Sequence, residues 1–103
     1  MIYNKLVRDK IPEIIASKNK KYNIKYLKDD ELKDALNNKL LEEVNEFIES
    51  DHDIEEMADI FEVIGAILDL NNWTYDMVSQ VQLDKIKARG AFEKGIFLIE
   101  AEE

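Results

Sequence analysis

Two short acidic runs carry most of the chemical potential of this sequence, Glu42-Glu43-Val44-Asn45-Glu46 and Glu56-Met57-Ala58-Asp59. On a helix, residues three apart share a face. Glu43 with Glu46, and Glu56 with Asp59, therefore each make a pair able to ligate one ion or two adjacent ions. Hard divalent cations such as Mg2+ take oxygen ligands, and four carboxylates from two facing helices would supply them. Without an ion the arrangement is awkward. Glu46 has Glu43 and Glu49 at i±3 and Glu42 at i−4, while Asp59 has Glu56 and Glu62 at i±3 and Glu55 at i−4. Neither has a lysine or arginine within one turn. On an exposed helix each such pair costs only about 0.2–0.5 kcal/mol. Partly buried, two carboxylates ~6 Å apart repel by roughly 3 kcal/mol at an effective dielectric of about 20. Geometry decides between these cases.

Placing residues at about 100° each on a helical wheel separates the carboxylates. Over 31–49, Leu32, Leu36, Leu40, Leu41, Val44, Phe47 and Ile48 mark an apolar arc, and Asp34, Asn38, Glu42, Asn45 and Glu49 a wet side. Glu43 falls inside the apolar arc, between Leu32 and Leu36, and Glu46 lies on its rim. In the next helix Glu55, Glu62 and Asp69 recur every seven residues as a solvent stripe, whereas Glu56 falls among Ile60, Val63 and Ile67. A further helix carries Lys85 and Arg89 on its apolar side, beside Val78 and Val81. Inward cations together with inward carboxylates fit a ligand that is itself anionic and carries a metal, and a triphosphate with magnesium meets that description.

The elements that must position these groups are helical. Three glycines and one proline in 103 residues leave little turn chemistry, so an all-α fold in one domain, 1–103, is expected. A first helix is expected within 6–19, with Asp9 as its cap and Pro12 in its opening turn. Asp29-Asp30 would cap the second, 31–49. Ser50-Asp51-His52-Asp53 reads as a tight polar turn, Asp53 as the cap of a third helix to about Asn71, and Thr74 as the cap of a fourth that stops at Gly90. Alternation at Tyr22, Ile24 and Tyr26 predicts a short strand over 22–26, with a second over 96–99. The turn forces an antiparallel hairpin whose apolar surface exceeds one narrow stripe. A four-helix-bundle-type core, completed by the fourth helix and by a homodimer or homotetramer, is the expected packing.

Composition excludes several classes. There are no cysteines, so disulfide scaffolds, thiolate zinc sites and thiol nucleophiles are out. A net charge of −9 opposes binding to a nucleic acid polymer but leaves a metal-carrying nucleotide open. The longest apolar run, Val63–Leu68, is too short for a bilayer. Met1-Ile2-Tyr3-Asn4-Lys5 turns charged at once, which fits a cytoplasmic chain. A di-iron carboxylate bundle would want Glu-x-x-His on its helices, and His52, the single histidine, falls in a turn.

These residues resemble a known family. The two acidic runs are similar to the EExxE…ExxD signature of the all-α nucleoside triphosphate pyrophosphohydrolases, the MazG-like proteins that include phosphoribosyl-ATP pyrophosphohydrolase and dimeric dUTPases. Small stand-alone members labelled phosphoribosyl-ATP pyrophosphohydrolase-like also resemble the opening Tyr3-Asn4-Lys5-Leu6-Val7-Arg8-Asp9-Lys10-Ile11-Pro12, Lys39-Leu40, and Lys85 with Arg89-Gly90 and Phe92. The resemblance implies cleavage of the α–β phosphoanhydride of a nucleoside triphosphate, giving a monophosphate and pyrophosphate. It implies Mg2+, with Mn2+ as substitute, held by Glu43, Glu46, Glu56 and Asp59, with Glu42 secondary and Glu43 or Glu46 orienting the attacking water. It implies phosphate binding by Lys85 and Arg89, with Lys5, Arg8 and Lys10 closing the site. Nine residues separate Glu46 from Glu56, fewer than in the longer MazG proteins, so the substrate preference of those forms does not carry over. The alternative is a non-catalytic acidic helical module that binds a protein partner.

Overall fold

Pro12 sets where the first helix begins. Its ring lacks an N–H and would meet the carbonyl of Arg8 if a helix ran through both residues. In the computed structural model, which describes all 103 residues, Arg8 O instead accepts from Ile11 N at 3.1 Å, and helix α1 spans Ile11–Ser17. The expected start at residue 6 and cap at Asp9 are therefore corrected. Lys10 occupies the cap position and its side chain caps nothing.

Helix α2 spans Asp29–Glu49, α3 Ile54–Leu70 and α4 Tyr75–Arg89, and there is no strand. The expected strands at 22–26 and 96–99 are corrected too. Tyr26 is 91% exposed and Phe97 87%, and alternation without a neighbouring chain to pair with cannot make a ladder. Asp29 and Asp30 lie inside the first turn of α2 rather than ahead of it. There they oppose the positive end of the helix dipole, although Asp29 takes a left-handed φ of 53°. No helix is long and apolar enough to cross a membrane.

The chain divides into two compact units, Met1–Asn72 and Trp73–Glu103. In the first, α2 and α3 pack as the expected antiparallel hairpin. Its turn is locally self-sufficient. Ser50 Oγ donates to Phe47 O at 2.8 Å and accepts from Asp53 N at 3.1 Å. Asp51 and His52 take left-handed φ of 60° and 69°, and the His52 ring stacks on Phe47 at 4.5 Å. Asp53 caps α3, accepting from Glu55 N at 3.0 Å. Leu36 from α2 and Ile60 and Val63 from α3 form the buried core, and one charged residue is buried with them, Glu43.

In the second unit Thr74 Oγ1 caps α4 by accepting from Met77 N at 3.1 Å. Gly90, at φ 84°, ends it, with its N–H donating to Ile86 O at 2.8 Å. Both ends match their sequence signals.

Because caps act locally, Asp53→Ala and Thr74→Ala should each lower the unfolding free energy by about 1 kcal/mol. Urea titration checks this as a reduced midpoint at unchanged slope.

Candidate metal centre

Glu43 is the anchor. Its place between Leu32 and Leu36 on the apolar arc of α2 leaves it 7% exposed, so its carboxylate must find partners inside the protein. One oxygen does: Lys39, one turn earlier, brings Nζ to 3.3 Å from Oε1. The other, Oε2, is shut off from water and has no partner. Glu56 of α3 shows the same condition, with a buried and unpartnered Oε2. Glu46 lies on the exposed rim of α2. The three residues place one carboxylate oxygen each within 4.8 Å of one another. Neighbouring ligands of an ion with metal–oxygen distances of about 2.0–2.1 Å lie about 3 Å apart, so the three side chains would have to draw closer to seat it.

Asp59, the fourth expected ligand, stands outside this cluster. Arg8 Nη2 donates to its Oδ1 at 2.6 Å. Glu42 is also held by cations, with Lys39 Nζ 3.2 Å from Oε2 and Lys5 Nζ 3.6 Å from Oε1. Of the basic residues expected near the site, Lys5 and Arg8 thus reach the acidic face, and Lys10 makes no ion pair. Lys85 and Arg89 belong to the second unit, where they line a shallow pocket with Gln82, Ile86 and Phe92. Glu49, Glu55, Glu62 and Asp69 face solvent, as the wheel assigns them. Lys39 was not among the expected site residues. Its signal was legible, since a lysine at i−3 and i−4 to Glu42 and Glu43 is placed to pair with both.

The electrostatics follow from this geometry. Glu46 is pushed above the ordinary carboxylate value of 4.5, chiefly because the Glu43 carboxyl is close enough to share its proton, and then by desolvation. Glu56 is raised by desolvation first, then by the charges of Asp59 and Glu43. Desolvation also pushes Glu42 upward, but the hydrogen bond and charge of Lys39 outweigh it and hold Glu42 below its ordinary value. Burial opposes the charge on Lys39, yet its hydrogen bonds to Glu42 and Glu43 hold it above its ordinary value.

For a raised carboxylate, the stability it contributes is fully present below its unfolded value and is lost as pH climbs through its folded value. Glu46 and Glu56 therefore make the metal-free protein more stable as pH falls through their raised values toward the ordinary 4.5. Glu42, being lowered, keeps its contribution above its ordinary value and loses it only below this window. Thermal unfolding in a chelator should register the rise, and Glu46→Gln with Glu56→Gln should flatten it. A flat profile for the unaltered chain would contradict the repulsion.

Comparison with family models, with curated proteins and with solved structures finds no match to this chain.

Proposed function

We propose that this chain is a MazG-like nucleoside triphosphate pyrophosphohydrolase that uses Mg2+, or Mn2+ in its place, to cleave an α–β phosphoanhydride to a monophosphate and pyrophosphate. The supporting observation is the meeting of Glu43, Glu46 and Glu56 oxygens within 4.8 Å, two of those residues carrying a buried oxygen with no partner. Such oxygens require a proton or a cation, and an all-oxygen donor set suits a hard divalent ion. A divalent ion held there would neutralise charge on the phosphate oxygens and align them for in-line attack.

The chain's own residues divide the remaining work. Glu43, pinned on one side by Lys39, and Glu56 are fixed ligands. Glu46 is the exposed member of the cluster and so the better suited of the two candidates to orient the attacking water and accept its proton. Asp59 is the fourth ligand and Glu42 a secondary one. The roles of Lys85, Arg89 and Lys10 on the phosphates rest on the resemblance alone. A cytoplasmic nucleotide-pool role fits this reading.

The bundle is completed by a second copy, as a homodimer or homotetramer. Leu41 at 64%, Ile48 at 61% and Phe61 at 63% exposure leave apolar surface on the hairpin with nothing over it, more than a solvated helix pair needs.

A second reading, an acidic helical module that docks on a protein partner, draws on the cations that already answer part of the acidic face. Metal-dependent stability separates the two. A strained ligand cluster gains about 2.7 kcal/mol at a hundredfold excess of Mg2+ over its dissociation constant, whereas a solvated face responds weakly and to any salt.

Pyrophosphate release over a panel of nucleoside triphosphates with Mg2+ or Mn2+ tests the activity directly. Glu56→Gln should lower it at least about a hundredfold, and Glu62→Gln, on the solvent stripe of the same helix, should leave it nearly intact. Equal effects of the two changes, or no turnover of any triphosphate, would overturn the proposal.

A further inference from the structure

The ion pairs of the N-terminal segment have a consequence for how a cation enters. Apart from the bonds at its end, where Arg8 O accepts from Ile11 N and Lys10 O from Ile14 N, no backbone hydrogen bond holds residues 1–10. The segment is fastened to the hairpin by side chains, with Lys5 on Glu42 of α2 and Arg8 on Asp59 of α3. Fastenings of this kind are exchangeable. Both ends of the Arg8–Asp59 pair are substantially exposed, at 58% and 39%, so water and competing ions reach it. Asp59 is also the carboxylate that stands outside the Glu43–Glu46–Glu56 cluster, although it lies one turn from Glu56 on the same face of α3.

Resting on the metal-site reading above, we infer that Arg8 is a built-in competitor of the divalent cation: it holds Asp59 outside the ligand cluster and yields it when the ion binds. Glu42, Glu43, Glu46, Glu56 and Asp59 face Lys5, Arg8 and Lys39, an excess of two negative charges that draws a divalent ion to this face while Arg8 still holds Asp59. If Arg8 stays on Asp59, the ion has three carboxylate ligands; once Arg8 leaves, it has four. A guanidinium and a divalent ion both draw on the Asp59 carboxylate, and the doubly charged ion wins wherever the other three ligands hold it. Arg8 is thus a positioning residue acting through Asp59.

A merely structural Arg8 would weaken metal binding when removed, whereas a competitor strengthens it. Calorimetric titration with Mg2+ should give a dissociation constant roughly two- to fivefold lower for Arg8→Gln than for the unaltered chain, the range of an exposed ion pair. Lys18→Gln removes the same charge from a side chain without an ion pair and should leave the constant unchanged. Equal or weaker binding by Arg8→Gln, or an equal gain in Lys18→Gln, overturns the inference. The unaltered chain gives an independent reading, because it holds only two arginines, Arg8 and Arg89. The Arg8 guanidinium resonance should move toward the position of free arginine as Mg2+ saturates the site. Binding with that resonance unmoved overturns this inference alone. A chain that binds no divalent ion overturns the metal centre and the inference with it.

Discussion

A carboxylate buried in an apolar arc constrains everything around it. Glu43 lies beside Leu36, Ile60 and Val63 in the small core of the hairpin, and it is the one charged residue there. An ionised carboxylate in such a place needs a cation or hydrogen-bond donors. Lys39 supplies one, on one oxygen. The other oxygen has no donor, and the nearest carboxylates, Glu46 and Glu56, make the local field worse. The region can resolve this by binding protons, which the raised values of Glu46 and Glu56 favour, or by binding a cation. Protonation and metal binding are alternative answers to one buried charge, and acid should therefore weaken the ion as it relieves the repulsion.

The tight turn is what makes those carboxylates neighbours. In an antiparallel hairpin, residues equally distant from the turn lie at the same height. Glu46 and Glu56 are each five residues from Asp51, and Glu43 and Asp59 are each eight. Two carboxylate layers follow, one turn of helix apart. Two successive left-handed residues, the Ser50 hydrogen bonds and the Asp53 cap fix the register without help from the rest of the chain. A residue added to the turn would rotate α3 by about 100° relative to α2 and carry Glu56 out of register. The shortness of this connection is thus part of the site.

Those parts of the fold set by local chemistry were legible in the sequence, and those set by distant partners were not. Caps at Asp53 and Thr74, the stop at Gly90 and the burial of Glu43 depend on a few neighbouring residues or on helical phase, and each appeared where expected. The start of α1 was readable as well, but needed the clash between Pro12 and the Arg8 carbonyl to be weighed above the apolar periodicity of Leu6 and Val7. Alternation at Tyr22, Ile24 and Tyr26 describes a surface that would suit a sheet, and nothing in it says whether a second strand exists. Lys39 sat in plain sight at i−4 from Glu43. The Arg8–Asp59 pair did not, because its partners are 51 residues apart and their meeting depends on the path of a segment without secondary structure.

The cations that reach the acidic face sharpen the case for a metal centre, because of where they stop. Lys39 and Lys5 answer Glu42, Lys39 answers one oxygen of Glu43, and Arg8 answers Asp59. Glu46 and Glu56, the layer nearest the turn, have none. An acidic face meant only for solvent or for a basic partner would leave its uncompensated charge on the outward stripe of Glu55, Glu62 and Asp69, where water screens it at little cost. Here the deficit falls instead on converging carboxylates, two of which each carry an oxygen closed to water. Uncompensated charge at that spot is tolerable to the fold only if something small and positive comes to it, and a proton or a divalent cation are the two species that fit.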